Sequence, residues 1–344
     1  MTRAQRRTFT VTLIVLVLIG LVAAAVLLRP HAAPEPARLL PEADGILYGN
    51  LKPLRAFVNF DQKQPSWTPE YRNFVQQTGI RPERDLDQIA FAIHSPREPG
   101  RETRFSEVMV GRFDSLRLAD YLRGIAHGRE TYRNHEIFLI PYEDRTVRAT
   151  ILSLDMVAAS NTGDPAQIDH IIDQFSRVPF AAAGPELLQK YYLHVPLGAI
   201  SWLITSVEPP NNIALGDNFG ILPFLQQVFG GGVVVASVRY NGNLLLRADS
   251  FLKGEALKDR AEQLNNLLSF YRTSEQQTRP ANPDPAMEAA FNSLKLDQKS
   301  DRLELTMSIP KELIENLFEP PTEPEPVPLS PPPAARKKKG PKTH

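Results

Sequence analysis

From Phe9 to Leu28 the chain carries no charged side chain, and only Thr10, Thr12 and Gly20 dilute its apolar residues. As a helix rising about 1.5 Å per residue, this run reaches roughly 30 Å, the thickness of a bilayer's hydrocarbon core. A buried core helix is the rival reading, but such a helix is rarely apolar on every face, as this run is. Arg3, Arg6 and Arg7 precede it, while Arg29 is the only charge immediately after it. The positive-inside bias therefore places residues 1–8 in the cytoplasm and everything after Pro30 outside. The small residues Ala23, Ala24 and Ala25 lie within the run and not behind it, so an uncleaved signal-anchor is expected in place of a cleaved leader. Arg6-Arg7-Thr8-Phe9 also resembles the core of a twin-arginine export signal, but the long apolar stretch behind it fits an ordinary positive flank better.

Beyond a Pro-rich stalk over residues 29–41, helix and strand patterns alternate. Ala43 to Asn50 reads as a first strand, and a helix is expected near Lys52 to Phe60. A second helix is marked by Thr68 as N-cap, Pro69 at its first position and Gly79 past its end. Strands are predicted at Gln88–His94 and Ser106–Phe113, followed by a helix capped by Asp114 that ends near Ala126 before Gly128. Further strands are expected near Glu136–Tyr142, Val147–Leu152 and Met156–Ala159, then a helix that closes near Arg177.

The later part repeats this order. A helix opens at Gly184-Pro185, a strand runs over Leu197–Ile204, and a helix near Phe219–Phe229 leads through Gly230-Gly231-Gly232 into a hairpin. Asn241-Gly242 is the preferred pair for a type I′ turn between Val233–Tyr240 and Asn243–Ala248. Leu257, Ala261, Leu264, Leu268 and Tyr271 recur at helical spacing. In the closing strand Leu303, Leu305, Met307 and Ile309 alternate with polar residues, and Pro310 opens a last helix.

The pattern predicts an α+β fold: a transmembrane helix over 9–28, then two similar halves over 42–180 and 181–318. Each half is expected to be an antiparallel sheet with helices packed on one face. Residues 319–344 are rich in proline and poor in large apolar side chains, so a disordered tail is expected there. Arg336, Lys337, Lys338 and Lys339 give it a basic end able to touch an anionic surface.

Composition narrows the function classes. The chain has 39 basic and 39 acidic side chains, a balance that argues against a nucleic-acid partner. It has no cysteine, which removes disulfides, thiolate metal sites and cysteine nucleophiles.

No catalytic, cofactor-binding or metal-ligating residue is assigned. None of the seven histidines stands at zinc-pair spacing. His170 beside Asp169 and Asp173 could mimic a metal corner, but a solvated helix face accounts for it. Gly230-Gly231-Gly232 lacks the Lys-Ser or Lys-Thr of a phosphate loop. Asp85 and Asp87 resemble paired metal carboxylates, yet the apolar run behind them makes them the polar lip of a strand. No serine lies in a Gly-x-Ser-x-Gly elbow, although a triad assembled from distant residues would leave no such trace.

The stretch Leu40-Pro41-Glu42-Ala43-Asp44-Gly45-Ile46-Leu47-Tyr48-Gly49-Asn50-Leu51 is similar to the opening of uncharacterised bacterial envelope proteins, and so are Thr78-Gly79-Ile80 and Asp85-Leu86-Asp87-Gln88-Ile89-Ala90. In these proteins a single anchor precedes a duplicated α+β region of unknown function. The resemblance implies topology and carries no activity.

The expected role is therefore a binding or scaffolding protein at the bacterial inner membrane. Its expected partners are the bilayer, through residues 9–28, and an envelope protein. An envelope hydrolase with a dispersed site is the alternative.

Overall fold

The computed structural model describes residues 32–57, 68–95, 103–143, 145–177, 183–206, 231–252, 254–278 and 285–313. After one helical turn, Glu35–Arg38 (α1), the chain forms strand Gly45–Asn50 (β1). Helices Leu51–Phe57 (α2), Pro69–Thr78 (α3) and Pro82–Asp85 (α4) lead to strands Leu86–His94 (β2) and Arg104–Gly111 (β3). Helix Ser115–Ile125 (α5) precedes a meander of Gly128–Tyr132 (β4), His135–Tyr142 (β5), Arg145–Ile151 (β6) and Met156–Ser160 (β7). Helices Ala166–Ser176 (α6) and Glu186–Tyr191 (α7) follow, with a 3₁₀ turn at Tyr192–His194. Strands Ser201–Ser206 (β8), Val233–Tyr240 (β9) and Leu244–Phe251 (β10) come next. Helices Glu255–Thr278 (α8) and Pro285–Asn292 (α9) precede the last strands, Lys295–Gln298 (β11) and Leu303–Ile309 (β12).

The fold is mixed α+β, as expected, but its strands form one sheet and not one per half. Twelve strands lie in the order β11-β12-β10-β9-β8-β1-β2-β3-β7-β6-β5-β4. Each neighbouring pair is antiparallel. The seam is the β1–β8 pair, with Gly45 opposite Thr205 and Gly49 opposite Ser201. Both edges of β1 are thereby hydrogen-bonded, which satisfies backbone groups that a buried strand cannot leave unpaired.

Helices cover both faces of this sheet, which corrects the one-face expectation. On the first face Ile46, Tyr48, Ala92, Val108, Trp202, Ile204 and Val235 pack with Ile168, Ile171 and Ile172 of α6 and Leu188 of α7. Their strand neighbours point the other way. Ile93, Leu203, Val234 and Ala248 meet Leu257, Ala261 and Leu264 of α8. Farther along that second face, Phe138 and Val157 meet Leu118, Ala119 and Leu122 of α5. A strand such as Ser201–Ser206, buried at Trp202, Leu203, Ile204 and Thr205 alike, needs cover on both sides.

Local chemistry sets the connections. Thr68 Oγ1 accepts from the Tyr71 amide at 3.3 Å, and Gly79 ends α3 with φ 75°. Asp114 Oδ1 accepts from the Arg117 amide at 3.1 Å to cap α5. A tight two-residue turn lies instead at Arg133-Asn134, with φ 43° and 68°, between paired Tyr132 and His135. The type I′ expectation at Asn241-Gly242 fails, because Tyr240 pairs with Leu244 across three residues and only Gly242 has positive φ there. Strand β4 was not anticipated, and the strand expected at Leu197–Ile204 starts later, at Ser201. The apolar run over 9–28, the helix expected near Phe219–Phe229 and the tail over 319–344 lie outside the described residues. Among the described residues, no helix is long and apolar enough to cross a membrane.

Gly111 shows how closely two segments meet. A Cβ there would stand 2.4 Å from the Asp85 carbonyl oxygen and 2.8 Å from the Phe113 ring. That carbonyl also accepts from the Arg112 amide at 2.8 Å, so it is poorly placed to move away. Gly111→Ala is expected to destabilise the domain by about 2 kcal/mol, the usual scale of overpacking. A fall in the urea midpoint would register it; an unchanged midpoint would show that the segment relaxes freely.

Candidate functional site

Antiparallel pairing brings the start of β1 and β3 and the finish of β2, β7 and β8 to one end of the sheet. The polar residues at these positions form the most connected buried polar group on that end. Asp44 Oδ2 accepts from the Ser95 amide at 2.8 Å, and its carbonyl accepts from the Ser206 amide at 2.9 Å. His94 Nε2 lies 3.0 Å from Ser106 Oγ, Ser106 Oγ lies 3.0 Å from Ser160 Oγ, and Ser160 Oγ lies 2.9 Å from Thr162 Oγ1. Asn161 closes the group by accepting from the Phe105 amide at 2.7 Å through Oδ1.

An acid, an imidazole and a serine in this order invite comparison with a hydrolytic triad. Two observations weigh against that chemistry. Ser106 has 0% of its surface exposed, so no substrate carbonyl reaches its hydroxyl. The direction of the bonds is also unfavourable. Thr162 Oγ1 donates to the Asp164 carbonyl at 3.1 Å, which leaves it to accept from Ser160. Ser160 then accepts from Ser106, and Ser106 accepts from His94. In this arrangement the imidazole donates to the serine and does not take its proton. Burial holds the His94 pKa below the ordinary histidine value, with the Asp44 carboxylate opposing the shift. The chain of hydroxyls ties β2, β3 and β7 together.

The residues considered from the sequence do not converge on this group. Asp85 accepts from the Arg81 amide at 2.9 Å and from Arg84 Nε at 2.9 Å. Asp87 pairs with Arg55 and, at 3.1 Å, with Lys52. Burial pushes both carboxyls up, but their bonds to these cations outweigh it and leave both below the usual value. Asp87 therefore fastens α2 to β2, while Asp85, which ends α4 and does not lie in the strand, closes that helical turn on itself. His170 faces Gln174 Nε2 at 3.1 Å, while Asp173 is engaged by Arg133 at 2.7 Å. Gly232, with φ 76°, opens β9 directly, so a strand and not a helix follows the glycines. Among the described residues, no group of three His, Asp or Glu side chains is placed to hold a metal ion.

Three further features were invisible in the sequence. On the first face Asp249 is bonded by Arg247 at 3.0 Å and lies 3.3 Å from Arg302, and Arg247 also reaches Glu304 at 2.9 Å. On the second face Glu107 stands between Phe91 of β2 and Ala159 of β7, in the gap between the α5 and α8 cores. Burial alone raises its pKa from 4.5 to about 7. Near the β4 edge an open polar hollow is lined by Arg123, His127, Arg129 and Glu136, and its cations are paired with Glu136 at 2.8 and 3.1 Å.

The sequence matches no protein-family model, and a search of curated proteins gives no match. Solved structures do show a likeness. Crystal form III of TP0453 aligns with TM-score 0.43 and 8% identity, over 83% of this chain and 97% of that one. Crystal form IV gives 0.43 and 9%, over 82% and 95%; crystal form I gives 0.41 and 9%, over 84% and 99%.

Proposed function

We propose that this chain is a binding or scaffolding protein of the bacterial cell envelope, held at the inner membrane by residues 9–28 with its α+β domain outside. The observation that carries the reading is the uncharged run from Phe9 to Leu28 with arginines only on its N-terminal flank. A further support is that, among the described residues, the hydroxyls of Ser106, Ser160 and Thr162 bond one another and Ser106 is closed to solvent. The rival reading, an envelope hydrolase, rests on the His94–Ser106 contact, and the burial of Ser106 weighs against it.

The reading extends to the internal plan: residues 42–180 and 181–318 are two versions of one unit. Strands β1-β2-β3 run outward from one side of the seam, and β8-β9-β10 run outward from the other. In each half the third strand gives way to a second-face helix, α5 or α8, and then pairs with the last strand of that half, β7 or β12. In an experimental structure, helices that failed to coincide when one half is laid on the other would end the duplication idea.

Topology is tested with the full chain. A periplasm-dependent phosphatase fused after His344 should be active, and the protein should stay in the membrane pellet after an alkaline carbonate wash. Release by carbonate, or activity only of a cytosol-dependent reporter, would overturn the reading.

A further inference from the structure

We propose that the turn between α7 and β8, tipped by Leu193 and Leu197, rests in the bilayer surface beside the anchor. This inference depends on the anchor reading above and adds to it a second contact and an orientation for the domain.

The turn is held from below. Tyr192 packs edge-on against Trp202 at 5.4 Å, Tyr191 and His194 lie 5.2 and 4.5 Å from Phe251, and Val195 is buried in the first-face core. Its backbone closes on itself, with the Val195 amide donating to Tyr192 and the Ala199 amide donating to Pro196. On this fixed base Leu193 and Leu197 are directed outward, 69% and 72% exposed. Single exposed leucines are ordinary on protein surfaces. Two of them four positions apart on one locked turn, flanked by half-buried tyrosines, have the composition of a membrane-interface contact.

The length of the tether identifies the occupant. Residues 29–34 separate the last apolar residue of the run from α1, and six residues extend at most about 20 Å. The start of α7 lies against α1: a Cβ on Gly184 would stand 3.1 Å from Arg38 Cα, and the Glu186 amide donates to the Glu42 carboxylate at 3.0 Å. From there α7 advances about 1.5 Å per residue toward the leucines, roughly 10 Å in all. The turn therefore lies within the reach that the tether allows from the lipid.

Because the natural chain has no cysteine, single positions can be labelled without background. Leu18→Cys, Leu193→Cys, Leu197→Cys and Met287→Cys are prepared in the full-length protein and labelled with a nitrobenzoxadiazole dye. The proteins are then reconstituted into phosphatidylethanolamine–phosphatidylglycerol vesicles containing acyl-chain spin-labelled lipid. Positions 193 and 197 should lose most of their emission to the spin label, as position 18 does, while position 287 should not. Quenching at 18 but at neither 193 nor 197 overturns the proposal and leaves the anchor standing. Absence of quenching at 18 overturns both. Dye at 193 shielded from aqueous iodide yet insensitive to spin-labelled lipid would mean that protein covers the turn, a second copy or another chain, and also overturns the proposal.

Discussion

Asp249→Ala is expected to lower the stability of the domain by about 3 kcal/mol, toward the lower end of what breaking a buried ion pair costs. The carboxylate is 1% exposed and takes bonds from Arg247 at 3.0 and 3.1 Å. Truncation leaves the Arg247 guanidinium, 27% exposed, with Glu304, and the Arg302 guanidinium, 23% exposed, with Asp301 at 3.0 Å. The partial exposure of the arginines lets water compensate in part, which is why the upper end of the range is not expected. Asp249→Asn keeps the shape and some hydrogen bonds but removes the charge, so its loss should be intermediate. Urea unfolding of the purified protein, followed by tryptophan emission, to which buried Trp202 contributes, reads the difference. An alanine variant with an unchanged midpoint would mean that the network contributes no net stability.

A second large effect concerns Glu107. Its folded-state pKa, about 7, lies above the value of 4.5 for a free glutamate, so the folded protein favours the protonated form. Stability from this group is complete below pH 4.5, declines as pH rises through 7, and is level above that. At about 1.4 kcal/mol per pKa unit the loss reaches roughly 3 kcal/mol. Glu107→Gln cannot ionise and should match the natural protein at pH 4 while exceeding it by about that amount at pH 8. Unfolding curves of both proteins across this range are the measurement. Parallel pH profiles would show that Glu107 is solvated and titrates normally.

Much of the local structure was legible in the sequence. Thr68, Pro69 and Gly79 bracket α3 because each has a separate backbone role, as cap, first-turn residue and left-handed stop. The alternation from Leu303 to Ile309 placed β12 correctly. Strand β4 escaped because Gly128-Arg129-Glu130-Thr131-Tyr132 is an edge strand with no strongly buried side and therefore no apolar rhythm. Its turn escaped too, since Arg133 reaches positive φ while lying 2.7 Å from Asp173, a long-range ion pair that no local motif encodes. The single sheet was hidden for the same reason: nothing near Gly45 points to Thr205. The polar chain from His94 to Thr162 was equally hidden. Ser106 and Ser160 are 54 positions apart and meet only because β3 and β7 pair in that register. A sharper reading of β7, whose residues Met156 to Ser160 are all buried, would have signalled helices on both faces.

The placement of β1 between β2 and β8 has a consequence for biogenesis. A chain that emerges N-terminus first completes one border of β1 early, when His94 has emerged, but Ser201–Ser206 follows more than a hundred positions later. Throughout that interval the amides and carbonyls on the other border of β1 have no native partner and can recruit a foreign strand. Slowed emergence of the chain between these two points should therefore favour aggregation, and a chaperone that shields strand borders would have its greatest effect there.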